Sequence, residues 1–199
     1  MAVLAGLDLL HVPAGLAALD AVCKEAQVAV LFAGDIDPGR FLLIITGDLA
    51  SVEAALHKGI LDAGDALLES LQLPQAHDGL LAALHGQFAD PAQVLRDEDA
   101  LGTLHAHTPL TLLAALDRAL KVAEVGLLRL RLASELAGQG HAVLAGEQFA
   151  VDAALHAAQL GLPSGVVLQS RLIPRPAAEV VAAACQRGLV ARPLRPLQP

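Results

Sequence analysis

Charge and aromatic side chains are both scarce in this sequence: charged residues make up 17% of its 199 positions, Trp and Tyr are missing, and Phe occurs four times. The two cysteines, Cys23 and Cys185, lack any metal-ligand spacing, so each reads as a buried thiol. Basic residues are few and scattered, apart from Arg129 and Arg131 on one expected strand and a late set, Arg187, Arg192 and Arg195. With a formal net charge of −8 they cannot supply the positive surface that phosphate neutralisation needs, which argues against general nucleic-acid binding. Long unbroken apolar runs are absent too. No stretch of about 18 residues escapes charge or breakers, so no membrane-spanning helix is expected. The apolar start, Met1 to Val12, carries Asp8 and His11 without a basic flank and makes a poor signal peptide, which places the chain in the cytosol.

What is abundant is aliphatic. Hydrophobic residues reach 55%, chiefly Ala, Leu and Val, more than a monomer of this length needs for its core. With a membrane set aside, the surplus points to contacts between subunits.

The chain also repeats itself. LAALDAVCKEAQVAVL at 16–31 returns as LAALDRALKVAEVGLL at 113–128, 97 positions later. GDLASVEAALH at 47–57 returns as GEQFAVDAALH at 146–156, now 99 positions apart, so an intervening loop is longer in the second copy. Pro74 of LQLPQAH answers Pro174 of RLIPRPA. A solenoid needs three or more shorter units, whereas two long ones indicate duplication of a compact domain. The polar stretch Ala92 to Asp99 marks the expected boundary, giving domains at 1–92 and 99–199.

Each copy shows the same order of elements. A strand (Val3–Leu10; Leu101–His105) leads to a helix with helically spaced apolar residues (Ala14–Ala26; Leu110–Ala123). An apolar β run follows (Val28–Phe32; Val125–Leu132), then a Gly-containing loop and a nearly continuous apolar strand (Phe41–Thr46; His141–Ala145). A Gly-Asp or Gly-Glu turn opens an Ala-rich helix (Leu49–Ala63; Phe149–Gln159), with the acidic residue suited to the helix dipole. A last strand lies near Ser70–Leu73 and Val166–Leu172. The order β-α-β-β-α-β predicts an α+β fold: two tandem ferredoxin-like domains, each a small antiparallel sheet with helices on one face.

The sequence offers no catalytic constellation. Neither Gly-containing loop has the Lys-Ser/Thr of a phosphate-binding loop or a G-x-G-x-x-G spacing. His57 and His156 recur at equivalent helix positions and read as inherited helix residues, while His105 and His107 alternate on one strand as a weak metal hint. Asp20 and Asp117 recur as well, each without a visible partner. Neither an enzymatic activity nor a bound metal or cofactor is expected.

The repeated Ala-Ala-Leu-Asp-x-x-x-Lys-x-Ala-x-Val block, PGRFLLIITGDLASVEAAL, AGQGHAVLAGEQFAVDAAL and IPRP at 173–176 resemble the tandem-domain shell proteins of bacterial microcompartments. The resemblance covers nearly the whole chain and is nearest to the propanediol-utilisation type. It implies a homotrimer, each chain supplying two domains to a pseudohexagonal disc, with discs and other shell proteins tiling edge to edge. It also implies a central pore for small metabolites, lined by Asp35, Asp37, Pro38, Gly39 and Arg40 of the first loop and Ala137, Gly138 and Gln139 of the second. In iron–sulfur members of that type a Cys stands where this chain has Asp37, and a carboxylate is a poor substitute for thiolate on a soft cluster. Three Asp37 side chains would instead make an acidic ring favouring cations. The plain alternative is an Asp-Pro-Gly turn. At the disc edges the resemblance assigns Lys24, Lys121 and Arg175, with Gln75 at the first copy's counterpart of Arg175. The competing function is a ferredoxin-like small-molecule-binding regulatory protein.

Overall fold

The computed structural model describes residues 3–133, 136–162 and 166–185; Ser134, Glu135, Arg187, Arg192 and Arg195 lie outside the described residues. In chain order the elements are β1 (Val3–Leu9), α1 (Val12–Glu25), β2 (Ala29–Ile36), β3 (Arg40–Gly47), α2 (Leu49–Ala63), β4 (Leu67–Leu73), α3 (Asp78–Leu84) and α4 (Pro91–Val94). They continue as β5 (Ala100–Ala106), α5 (Pro109–Val122), β6 (Gly126–Leu132), β7 (Gly140–Gly146), α6 (Gln148–Gln159), β8 (Leu168–Pro174) and α7 (Ala178–Cys185). The two sheets run β2-β3-β1-β4 and β6-β7-β5-β8, with every neighbouring pair antiparallel. This is the expected duplicated βαββαβ architecture.

Local chemistry sets the helix ends. His11 Nδ1 accepts from the Ala14 N–H at the start of α1, which has Pro13 in its first turn. Thr108 does the same for Thr111 before α5, again with a proline, Pro109. Asp48 caps α2 by accepting from Ser51 N at 3.0 Å, and these hydrogen bonds hold its carboxyl below the usual range. Glu147, its counterpart before α6, makes no side-chain cap.

In the first copy Val3, Ala5, Leu7 and Leu9 of β1 and Phe41, Leu43 and Ile45 of β3 join α1 and α2 in one core. Leu4, Leu42 and Ile44, which alternate with them, are also buried, so these strands are covered on both faces. Close packing depends on Gly59 in α2, where an added Cβ would stand 2.7 Å from Leu7 Cδ1.

Of the described residues, 3–76 and 136–138 form one compact unit, while 77–133, 139–162 and 166–185 form another. Within that second unit α3 lies against α5 and β6. The short helices α3, α4 and α7 go beyond the elements anticipated from periodicity. Three side-chain expectations need correction. Cys23 is exposed and Cys185 partly so, because α1 turns Cys23 away from its sheet. His107 lies past the end of β5 and so shares no strand face with His105. Asp20 and Asp117 both have partners one helical turn on, Lys24 at 2.6 Å and Lys121 at 2.5 Å.

Candidate pore loops and assembly surfaces

The β2–β3 connection is a tight turn closed by Gly39 N donating to Ile36 O at 2.9 Å, with Gly39 at a positive φ of 90°. Asp35, Asp37, Pro38 and Gly39 are exposed, while Ile36 is buried and anchors the turn. The matching β6–β7 connection is drawn together by Ala133 N donating to Gln139 O at 2.8 Å, with Ala137 and Gly138 both at positive φ. Ala137 is exposed and Gly138 buried.

Residues 136–138 belong to the first compact unit, and there the two candidate loops meet. Arg40 Nη2 donates to Gly138 O at 2.6 Å. A Cβ on Gly138 would lie 2.3 Å from both that nitrogen and Asp37 O, so only glycine fits. The other end of the Arg40 guanidinium faces Asp8, Nη1 to Oδ2 at 3.4 Å. Asp8 is fully buried on β1, and neither of its oxygens has a hydrogen-bond partner among the described residues. Burial raises its pKa to about 6, against the lowering effect of Arg40 and with a further raise from Glu69 on β4.

The second sheet carries a different polar group at the same place. Strand register makes His105 the counterpart of Asp8, Gln139 of Arg40 and His141 of Leu42. His105 Nε2 pairs with Gln139 Oε1 at 2.8 Å, and the His105 and His141 rings lie with centroids 6.3 Å apart. Burial, then Arg129, His105 and Arg131, push the His141 pKa down to about 4, so it is neutral at pH 7. The first copy thus holds an Asp–Arg pair beneath its loop and the second a His–Gln hydrogen bond. The sequence reading named Asp8 only as a charge in the apolar start, paired His105 with His107, and passed over His141; only the strand register brings Asp8 beside Arg40 and His105 beside Gln139 and His141.

At the assigned edge positions, Lys24 and Lys121 sit in the last turns of α1 and α5. Arg175 is exposed at a φ of 45°, held by its N–H donating to Asp99 O at 2.9 Å. No described residues form a cluster of three or more His, Cys, Asp or Glu able to hold a metal ion.

The BMC domain model matches residues 5–76 and again 100–176. The chain belongs to the BMC-domain family. Among curated relatives, the bacterial microcompartment shell protein PduT of Citrobacter freundii is 33% identical over 171 residues, covering 85% of this chain and 90% of the relative. The shell protein EutK of Escherichia coli (strain K12) is 33% identical over 99 residues, 47% of this chain and 60% of that protein. A microcompartment protein from Desulfitobacterium hafniense DCB superposes with a TM-score of 0.76 at 26% identity, covering 92% of this chain and 99% of the other. The shell expectation drawn from the repeated motifs therefore holds at the level of family and fold. The family's role is structural. Among the described residues, no helix of this BMC protein is long and apolar enough to cross a membrane.

Proposed function

We propose that this BMC protein is a structural, non-enzymatic building block of a cytoplasmic microcompartment shell, acting as a pseudohexameric homotrimer that tiles edge to edge with its own kind and with other shell proteins. The observation that carries this reading is the pair of family-matched domains with equivalent β2–β3 and β6–β7 loops, each domain within one chain. In this reading the sequence copies 1–92 and 99–199 are the two units of the disc, and Asp35, Asp37, Pro38, Gly39 and Arg40, with Ala137, Gly138 and Gln139, line a pore for small metabolites.

Exposure of Asp37, and the engagement of Arg40 with the Asp8 carboxylate and, through a hydrogen bond, with Gly138 O, support an acidic rim at the first loop. Lys24, Lys121 and Arg175 serve the disc edge; the i,i+4 pairs of the two lysines orient their ammonium groups at the ends of α1 and α5. Electron microscopy and sedimentation of the purified protein test this together. Trimers that form hexagonal sheets or tubes are expected, and a monomer over a wide concentration range refutes it. Within assembled sheets, Asp37→Arg is expected to change the passage of charged solutes without dissolving the trimer; loss of the trimer would make the loop a structural turn instead.

A further inference from the structure

We infer that α7 of one copy docks on α1 of a second copy of this chain in the way that α3 docks on α5 within the chain. This rests on the ring reading above and specifies one of its joints. The duplication supplies the template. Leu73 of β4 and Ile173 of β8 hold the same register position opposite Leu4 and Leu101, so α3 (Asp78–Leu84) and α7 (Ala178–Cys185) are equivalents 100 residues apart. Likewise α1 and α5 are equivalents 97 residues apart.

One member of each pair is covered and the other bare. Where α3 lies on α5, Leu113 is fully buried; its counterpart on α1, Leu16, is 55% exposed. Leu80 of α3 is fully buried, whereas its counterpart Val180 on α7 is 38% exposed. Ala83 is buried and Ala183 exposed. The polar contact follows suit. His77 N, just before α3, donates to Asp117 Oδ1 at 2.8 Å while Lys121 takes Oδ2. Asp20, the counterpart of Asp117, accepts only from Lys24, through Oδ2, among the described residues, and its side chain is 62% exposed against 5% for Asp117.

The bare surfaces are therefore complementary halves of a contact the molecule already makes once. In the isolated chain α7 rests one face, Val181, Ala184 and Cys185, on its own sheet near Leu101 and Leu128, which leaves Val180 and Ala183 free. Docking places Val180 and Ala183 over Leu16 and Cys23 of the second copy and gives the Ala177 N–H to its Asp20. Donor and acceptor are different surfaces, so each copy gives to one neighbour and receives from another, the head-to-tail contact that the proposed ring requires.

The template also supplies the test. A Cβ on Gly79 would lie 3.9 Å from Leu120 Cδ1, and the counterparts of those residues are Glu179 and Cys23. In the full chain carrying Cys185→Ser, Glu179→Cys is expected to form reducible links between chains on mild oxidation, lost when Cys23→Ser is added. Val180→Glu, at a side chain already partly exposed in the folded chain, is expected to raise the concentration of half-assembly by about tenfold or more without lowering the melting temperature of the monomer. A ring-sized oligomer in which Glu179→Cys does not link to Cys23, or in which Val180→Glu assembles like the parent, overturns this docking and leaves the ring standing. A parent chain that stays monomeric overturns the ring itself.

Discussion

Gly15 and Phe41 meet so closely that a Cβ on Gly15 would lie 2.1 Å from the Phe41 ring. At the equivalent contact in the second copy the sizes are exchanged: Leu112 stands on the helix and Gly140 on the strand, where a Cβ would lie 2.8 Å from Leu112 Cδ2. One small and one large residue fill the same space by opposite routes. Since duplication, each copy has settled its own core.

That exchange predicts strong coupling. Phe41→Gly alone empties a fully packed site and is expected to cost about 3–5 kcal/mol. Gly15→Leu alone overpacks it and costs roughly 1–3 kcal/mol or more. The double variant reproduces the second copy's solution and should recover at least about 1 kcal/mol beyond additivity in urea unfolding. Strict additivity would mean that the two sites do not share one space.

Asp8 predicts an unusual response to pH. Its folded pKa of about 6 lies above the ordinary 3.8, so the folded state binds this proton more tightly. Its contribution is therefore a penalty, absent below about pH 4 and complete above about pH 6. At about 1.4 kcal/mol per pH unit, the rise from 3.8 to about 6 amounts to roughly 3 kcal/mol. Asp8→Asn removes it, so the variant's stability relative to the parent should improve as pH rises from 4 to 7. A pH-independent difference in urea unfolding would refute the burial argument.

His141 works in the opposite sense. Its folded pKa of about 4 lies below the ordinary 6.5, so stability falls as pH drops from about 6.5 towards 4. His141→Leu, matching Leu42 in the first copy, should abolish that acid loss. Proton NMR of the parent checks the cause directly: the His141 ring should stay neutral to about pH 5, and titration near 6.5 would contradict it.

Arg175 sets stability against assembly. A non-glycine residue at a φ of 45° is strained, so Arg175→Gly should raise the unfolding free energy by about 0.5–1 kcal/mol. If Arg175 serves the disc edge, the same variant should form trimers that no longer tile. Intact sheets from this variant would remove it from the edge.

The regular elements were readable because their periods are plain: the Phe41–Thr46 run and the Ala-rich helices allow one period each. The α3 helix was harder, since seven residues carry little periodicity. Its signal lies in the likeness of LLAAL at 80–84 to VVAAA at 180–184, which only a comparison between copies brings out. Both loops lie between the expected strands, although β2 and β3 reach further than their apolar runs and take in Asp35 and Arg40, and the groups beneath the loops were not visible. Asp8 and Arg40 are 32 positions apart, and nothing local says that antiparallel register brings them within 3.4 Å. Cys23 misled for a related reason: an apolar residue on an Ala-rich helix looks like core until the sheet fixes which way the helix faces.

The placement of α3 on α5 has a consequence for biosynthesis. Because both helices lie on one polypeptide, that contact forms at the high effective concentration of a short tether, on the order of millimolar, and dilution does not undo it. In the proposed ring, each chain would therefore bring one such joint already made within itself. Only the joints between separate molecules then depend on how much protein the cell makes.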